Sequence, residues 1–240
     1  AVLMGTVSCK EEFLQTEPTE LISANQIAEA SALNPGLQSA NVAGIYATMY
    51  GAGTGGTSGH DDFGHKAYDV YGDLLSGDMA LTSVIYGWFR TITEFQTTVD
   101  YTQQDNYQVW RFYYRLIFAA NTVIDGLGGS DAIPGTAAGR WYMGQAKAMR
   151  AFSYFYLAQY FQNEYNPTEK ILPLYKNTVD PNLPKSTAAD VYALMVKDLT
   201  DAQTLLADFN RANKSEVNAS VAKGMLAYVH GAMGNNAAMK

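Results

Sequence analysis

The sequence predicts a mainly α-helical protein, and three observations carry that prediction. Apolar residues recur at three- and four-residue spacing in five segments. Glycine- and proline-rich stretches separate those segments. Period-two alternation never persists long enough to build a sheet.

The first predicted helix follows Asn34-Pro35, a capping residue with proline at the first helical position. It runs to about Tyr50 and spaces Leu37, Val42, Ile45, Tyr46 and Met49 on one side. Residues 51–59, Gly-Ala-Gly-Thr-Gly-Gly-Thr-Ser-Gly, must be a loop. A second helix spans about 103–127, with Trp110, Tyr113, Tyr114, Ile117, Asn121 and Ile124 as its stripe. A Gly/Ala loop covers 128–139. The third helix covers about 140–162, and its centre at 152–157 is apolar nearly all round, which implies burial on several sides. Residues 163–186 hold four of the seven prolines, predicting a long extended connection. The fourth helix opens with the capping box Thr187-Ala-Ala-Asp190 and continues through Val191, Met195, Leu199, Ala202 and Leu206. The fifth starts near Asn218, carries Val221, Met225 and Val229, and stops at Gly234. Its small and large residues, with the Gly234-Asn235 turn, resemble the spacing of a tetratricopeptide unit, a pattern that generic antiparallel packing also produces. The expected architecture is all-α: tetratricopeptide-like hairpins with long loops, 187–206 pairing with 140–162.

Composition narrows the function. A chain of 240 residues, 48% hydrophobic, buries a real core and is not a disordered tail. Charged residues, at 16%, lie below the ~25% of ordinary soluble domains. With 16 basic against 23 acidic residues the net charge is −7. No basic cluster is present, which argues against a nucleic-acid partner. The most apolar stretch, 112–124, is interrupted by Arg115 and Asn121 and is far shorter than the ~20 residues of a membrane span.

The single cysteine is informative through its position. Cys9 follows the apolar and small-residue run Ala1 to Ser8, which reads as the end of a secretory signal peptide. Small residues before a cysteine resemble a bacterial lipobox, in which the thiol is acylated; Thr6 stands where leucine is usual. An ordinary buried cysteine is the alternative. Lys10-Glu11-Glu12 resembles the surface-export signal of Bacteroidetes lipoproteins, and a solvated charged tail would carry the same residues. Residues 1–9 are thus expected to be a signal-peptide remnant.

Few motifs point to chemistry. His60-Asp61-Asp62 with His65 lacks the convergent ligand set of a zinc or calcium site, so a solvated polar loop is expected and no metal. Gly51 to Gly56 formally matches GxGxxG, but a helix precedes it where a dinucleotide site needs a strand. No cofactor is called for. No GxSxG elbow is present, and His230 reads as a packed or surface histidine. Carboxylates are plentiful, but the separation that a glycosidase pair requires is not readable from sequence. Asn213 and Asn218 head glycosylation sequons, idle in a bacterial lipoprotein.

Several collinear segments together resemble the SusD/RagB family of nutrient-binding outer-membrane lipoproteins. They run from Cys9-Lys-Glu-Glu-Phe-Leu14 and Gly44-Ile-Tyr-Ala47 through Phe63-Gly-His-Lys66 to Asp73-Leu-Leu-Ser-Gly-Asp-Met79. Trp110 to Arg115, Asn121 to Asp125, Ala148 to Leu157, Leu172-Pro-Leu-Tyr175, 187–206 and 219–234 continue the match. The resemblance implies an all-helical core, acylation at Cys9, the outer membrane as location, and a SusC-type TonB-dependent transporter as partner. It implies capture of oligo- or polysaccharide without catalysis; peptide capture, or an all-α glycoside hydrolase or lyase, are the rival readings. Family members are about twice this long, so 10–240 is expected to be the N-terminal helical domain, truncated at its C-terminus.

Sugars are held by aromatic faces together with carboxylates, amides and arginine. The segment from Asp73 to Arg90 carries that mixture in Asp73, Asp78, Tyr86, Trp88 and Arg90, beside the glycine loop. Trp88 is the leading candidate among them, and a core aromatic is the alternative reading. Trp110 and Trp141 lie on apolar stripes and are expected in the core.

Overall fold

The computed structural model describes residues 24–239, so Cys9 and the acidic run after it lie outside the described residues. Helices dominate, as expected. A short helix α1 (Ala24–Leu33) leads through a 3₁₀ turn (Pro35–Leu37) into α2 (Gln38–Thr48). Asn34 Oδ1 accepts from Gly36 N at 3.1 Å, holding that turn as the Asn-Pro pair predicts. Then come α3 (His65–Ser76), the single turns α4 (Arg90–Thr93) and α5 (Gln96–Val99), α6 (Gln104–Gly126) and α7 (Ala137–Phe161). Strands β1 (Lys170–Pro173) and β2 (Lys185–Thr187) precede α8 (Ala188–Leu205), α9 (Ala219–Ala232) and α10 (Asn236–Met239).

Three helix starts are set by side chains. Thr136 Oγ1 accepts from Gly139 N at 3.1 Å, and Asn218 Oδ1 from Val221 N at 3.0 Å. The predicted box at 187 is real: Thr187 Oγ1 accepts from Asp190 N at 3.2 Å and lies 2.6 Å from Asp190 Oδ2.

α6, α7 and α8 pack antiparallel. Trp110 meets Phe161 at 5.1 Å and Tyr114 meets Tyr154 at 6.3 Å, while Asn121 meets Arg150. Positions on α7 thus fall as those on α6 rise. On the other side Lys147 meets Asp201 and Arg150 meets Asp198, as the predicted 140–162 and 187–206 pairing requires. Gly144 lets the two helices close: a Cβ there would lie 2.7 Å from Leu206 Cγ. All-round burial falls at 143–151 of α7, one to two turns before the centre that the apolar run marks; Phe152, Phe155 and Tyr156 stay half-buried. The shift follows from α7 having neighbours on several sides there, including polar ones.

The polar contacts converge on Arg150, which is fully buried. Its Nε and Nη2 donate to Asp198 Oδ2 and Oδ1 at 2.7 and 2.8 Å, a bidentate pair. Nη1 reaches Asn121 Oδ1 of α6 at 2.8 Å, Lys176 O at 3.0 Å and Ser130 Oγ at 3.1 Å. One turn earlier, Lys147 Nζ donates to Asp201 Oδ2 and to Ser130 O, both at 2.6 Å.

The proline-rich connection departs from the prediction in one respect: it contains a two-stranded antiparallel sheet, with Leu172 opposite Ser186. Four-residue and three-residue strands are too short to leave an alternating pattern in the sequence. α6 fastens the stretch that follows β1. Tyr114 Oη donates to Pro173 O at 2.9 Å, and Asn121 Nδ2 to Tyr175 O at 3.2 Å. Asp125 Oδ2 accepts from Thr178 N at 2.7 Å. α1 and α3 are helices beyond the five that the spacing predicts. α3 begins at Gly64 (φ 84°), with no side-chain cap, because the chain bends tightly past the Met49 carbonyl. No helix among the described residues is long and apolar enough to cross a membrane.

Arg150→Met leaves the Asp198 carboxylate buried and unpaired, and is expected to destabilise the protein by about 3–5 kcal/mol. Arg150→Met combined with Asp198→Leu should recover much of that loss. Denaturant midpoints of the single and double variants check both outcomes.

Candidate functional site

The glycine-rich loop and the segment after α3 share one surface supported by α6. Asp62 closes the loop on itself. Its Oδ1 accepts from Gly55 N at 2.8 Å, and its Oδ2 from Thr57 N and Thr57 Oγ1, both at 3.0 Å. Gly56 adopts φ 92°, and a Cβ there would lie 2.6 Å from the Arg111 guanidinium carbon, so α6 presses directly on the loop backbone. The expected solvated loop at 60–62 is corrected: Asp61 and Asp62 are buried, because the loop folds over the hydroxyls of Tyr71 and Tyr68.

Beneath the loop lies a polar network. Tyr71 Oη donates to Gln108 Oε1 at 2.7 Å and lies 3.4 Å from both Asp61 Oδ2 and Asp105 Oδ1. Gln108 Nε2 donates to Thr57 Oγ1 at 3.2 Å, and Thr91 Oγ1 to Asp105 Oδ2 at 2.6 Å. The loop, α3, α4 and α6 are thereby tied together. Asp61 Oδ1 is buried without a hydrogen-bond partner. Burial, reinforced by the Asp105 and Asp62 carboxylates, raises the Asp61 carboxyl above the ordinary aspartate range. Among the described residues no group of three or more His, Cys, Asp or Glu could hold a metal ion.

Above this base the segment 77–103 turns apolar side chains outward. Ile85, Tyr86, Phe95, Val99 and Tyr101 are all more than half exposed, Tyr86 and Tyr101 by about 90%. Single exposed rings need no explanation, but a run of them does. The backbone here is also strained: Tyr86, Phe89 and Phe95 hold φ of 59°, 62° and 56° without being glycine. Such positions cost on the order of 1–3 kcal/mol each and persist only where surrounding structure imposes them. The imposing contacts are visible. Phe89 packs edge-on against Tyr71 at 5.8 Å, and Ile92 is fully buried.

The residues expected to bind ligand all lie on or beside this surface. Trp88 is half-buried and stacks on His60, with centroids 5.3 Å apart and planes 30° from parallel. Tyr86 projects two residues earlier, and Arg90 is exposed at the start of α4. Asp73, half-buried, and Asp78, exposed, flank the end of α3; Asp78 Oδ2 accepts from Ser76 Oγ at 2.9 Å. No hydrogen bond, ion pair or ring contact joins any two of these five. The structure adds His60, Phe95, Tyr101 and Tyr107 to the surface. The sequence does not mark them, since nothing local in it separates an exposed ring from a buried one. A cavity of about 600 Å³ opens beside it between Tyr101, Tyr107, Trp110, Phe161 and Gln162. The Gln162 Nε2 donor is buried and unpaired. Trp110 and Trp141 are half-buried and not core; Trp141 Nε1 donates to Asp208 Oδ1 at 2.8 Å.

The Asp61 geometry has a consequence for pH dependence. A carboxyl raised in the folded state loses stability for the fold as pH climbs from the ordinary aspartate range through the folded value. Asp61→Asn removes the buried charge from beside the Asp105 and Asp62 carboxylates. It should raise stability at pH 7 by about 1 kcal/mol, roughly 2–4 °C in melting temperature, and the gain should vanish near pH 3. Thermal melts of both proteins across that range check it.

Comparison with known proteins gives this surface a context. No curated protein matches the sequence. Solved structures match the fold. A SusD-like carbohydrate-binding protein from Bacteroides vulgatus aligns with a TM-score of 0.70 at 24% identity, over 81% of this chain and 40% of its own. A putative sugar-binding protein from the same species aligns at 0.64 and 22%, over 85% and 44%. Surface glycan-binding protein A from Bacteroides thetaiotaomicron aligns at 0.62 and 16%, over 81% and 38%. At such identities the likeness establishes the fold, and the chain spans about two fifths of the length of these structures. A family model described as SusD-like, starch-binding and associating with the outer membrane matches residues 63–230. That match covers α3 through most of α9, and on it this chain belongs to the SusD-like family.

Proposed function

We propose that the chain is the N-terminal helical part of a cell-surface lipoprotein that captures oligo- or polysaccharide. The observation that carries this reading is the set of exposed rings on 77–103, Tyr86, Phe95 and Tyr101, beside the Trp88–His60 stack, on a backbone strained at Tyr86, Phe89 and Phe95. A pre-formed aromatic surface meets the C–H face of a sugar without spending ordering entropy on binding. Trp88, stacked on His60, and Tyr86 supply ring faces in this reading. Arg90, Asp73 and Asp78 supply hydrogen bonds to hydroxyls at the rim. The starch-binding description of the family, and the carbohydrate-binding names of the structural neighbours, support the ligand class.

The role is binding rather than catalysis. Asp62 and Asp105 are engaged in internal hydrogen bonds and Asp61 is buried, so none is presented as an acid or base. Captured glycan passes to a SusC-type TonB-dependent transporter, with the protein held at the outer membrane through acylated Cys9. The outer-membrane association in the family description and the lipobox-like run before Cys9 support that placement.

Two outcomes are expected. In native gels containing a panel of polysaccharides, at least one glycan retards the protein, and no reducing ends are released. Trp88→Ala and Tyr86→Ala each weaken the retardation by about tenfold, the scale of one lost ring contact near 1.4 kcal/mol. Absence of retardation by every glycan sinks the reading. Cys9→Ala should leave the helical circular dichroism and melting temperature unchanged and move the protein from the membrane fraction to the soluble one. A variant that still sediments with membranes excludes the lipid anchor.

A further inference from the structure

α6 carries a row of rings of which only Tyr107 borders the 77–103 surface. Tyr107, Trp110, Tyr114 and Phe118 follow at three- and four-residue spacing, so they stand along one side of the helix. Trp110 and Tyr114 touch with centroids 4.8 Å apart, and Tyr114 meets Tyr175 edge-on at 5.8 Å. Both ends of the row are open: Tyr107 is 51% exposed and Phe118 57%. One end enters the 600 Å³ cavity already described, through Tyr107 and Trp110. The other end walls a separate cavity of about 360 Å³, through Trp110, Tyr114 and Phe118. Trp110 lines both.

The wall facing these rings in the second cavity is polar. It is made by Asn177, Asp180 and Asn182 of the connection between the strands. Asn177 Nδ2 donates to Asp180 Oδ1 at 2.9 Å, and Lys176 N donates to Asp180 Oδ2 at 3.1 Å. Each carboxylate oxygen thus has one protein donor and keeps acceptor capacity for another. The exposed Asn182 amide makes no hydrogen bond to the protein and retains two donors and an acceptor. Rings on one side and fixed carboxylate and amide groups on the other match a sugar, with its C–H face and its hydroxyl edge. Both cavities fall in or near the roughly 300–1,000 Å³ range of small-ligand sites. From Tyr107 to Phe118 the helix rises about 16 Å, the reach of a short oligosaccharide rather than one sugar.

We infer that the α6 ring row and the Asn177–Asn182 turn form an extended oligosaccharide groove, in which Trp110 is the shared wall of two sugar subsites. The inference rests on the glycan-binding reading and adds where a linear chain runs and why chain length matters. It requires affinity to rise with the number of sugar units until both cavities are filled.

The test is calorimetric titration of the full chain with maltose- and laminaribiose-based series from disaccharide to heptasaccharide. Where neither series binds, oligomers cut from the polysaccharide that retards the wild type take their place. Phe118→Ala and Asn182→Ala alter exposed side chains and should leave the melting temperature unchanged. Each is expected to weaken the longest oligomers by about five- to tenfold, on the scale of a single interface side chain, and to leave the disaccharide unchanged. Trp88→Ala, in parallel, should weaken every length. If both groove variants bind all lengths as the wild type does while Trp88→Ala loses affinity, the groove is overturned and the glycan reading stands. If no glycan binds the wild type, both fall.

Discussion

The structure depends on how one guanidinium is satisfied. Arg150 lies where α6, α7, α8, the loop before α7 and the connection after β1 come together, and it donates to four of them from the fifth. An ion in this position gains little net energy, because removing it from water costs about as much as its pairing returns. Its contribution is geometric. The planar fork accepts Asp198 in one orientation only, and that orientation fixes the register of α7 against α8. Lys147 repeats the bond to Asp201 one turn away, so a slip by one turn would leave two buried cations mispaired. Apolar packing alone tolerates such slips, since alanine and leucine stripes look alike from turn to turn.

The same logic shows which parts of the fold were legible in the sequence. The helices from α7 to α9 carry period and caps together, and Thr187 and Asn218 do what their residue types suggest; α6, with no side-chain cap, is legible by period alone. α3 has a period of its own, but it begins at an uncapped glycine whose conformation is dictated by a carbonyl of the preceding helix. That is tertiary information, absent from any window of sequence. The carboxylates of the site depart from their sequence expectation for a related reason. His60-Asp61-Asp62 has the composition of a solvated turn, and only the hydroxyls of Tyr68 and Tyr71 and the amides of the glycine loop make burial tolerable. Trp88 was identifiable as a candidate by type; its stack on His60 was not, because the two are far apart in the chain.

The unusual supply of tyrosine divides between two tasks. Tyr68, Tyr71, Tyr113 and Tyr154 are buried, and burial pushes all four hydroxyls well above the ordinary tyrosine range. They remain neutral donors, suited to carrying hydrogen bonds through an apolar interior. Tyr86, Tyr101 and Tyr107 are outside and keep their faces toward solvent. A low charge content is consistent with both uses. Inside, phenol groups carry polar contacts beside the few buried ion pairs; outside, ring faces stand where an ordinary surface carries charge.

The connection between β1 and β2 is fastened in an uncommon way. Tyr114, Asn121, Asp125 and Arg150 all hold its main chain through Pro173 O, Tyr175 O, Thr178 N and Lys176 O. Main-chain atoms are the same for nearly every residue type. These main-chain anchors are therefore indifferent to residue type; Thr178 adds its hydroxyl on Asp125, Asn177 and Asp180 brace the turn internally, and the exposed Asn182 side chain takes part in no fastening. The fold thus separates what holds this stretch from what it displays: its outward residues can change while the helices keep their bonds to its main chain.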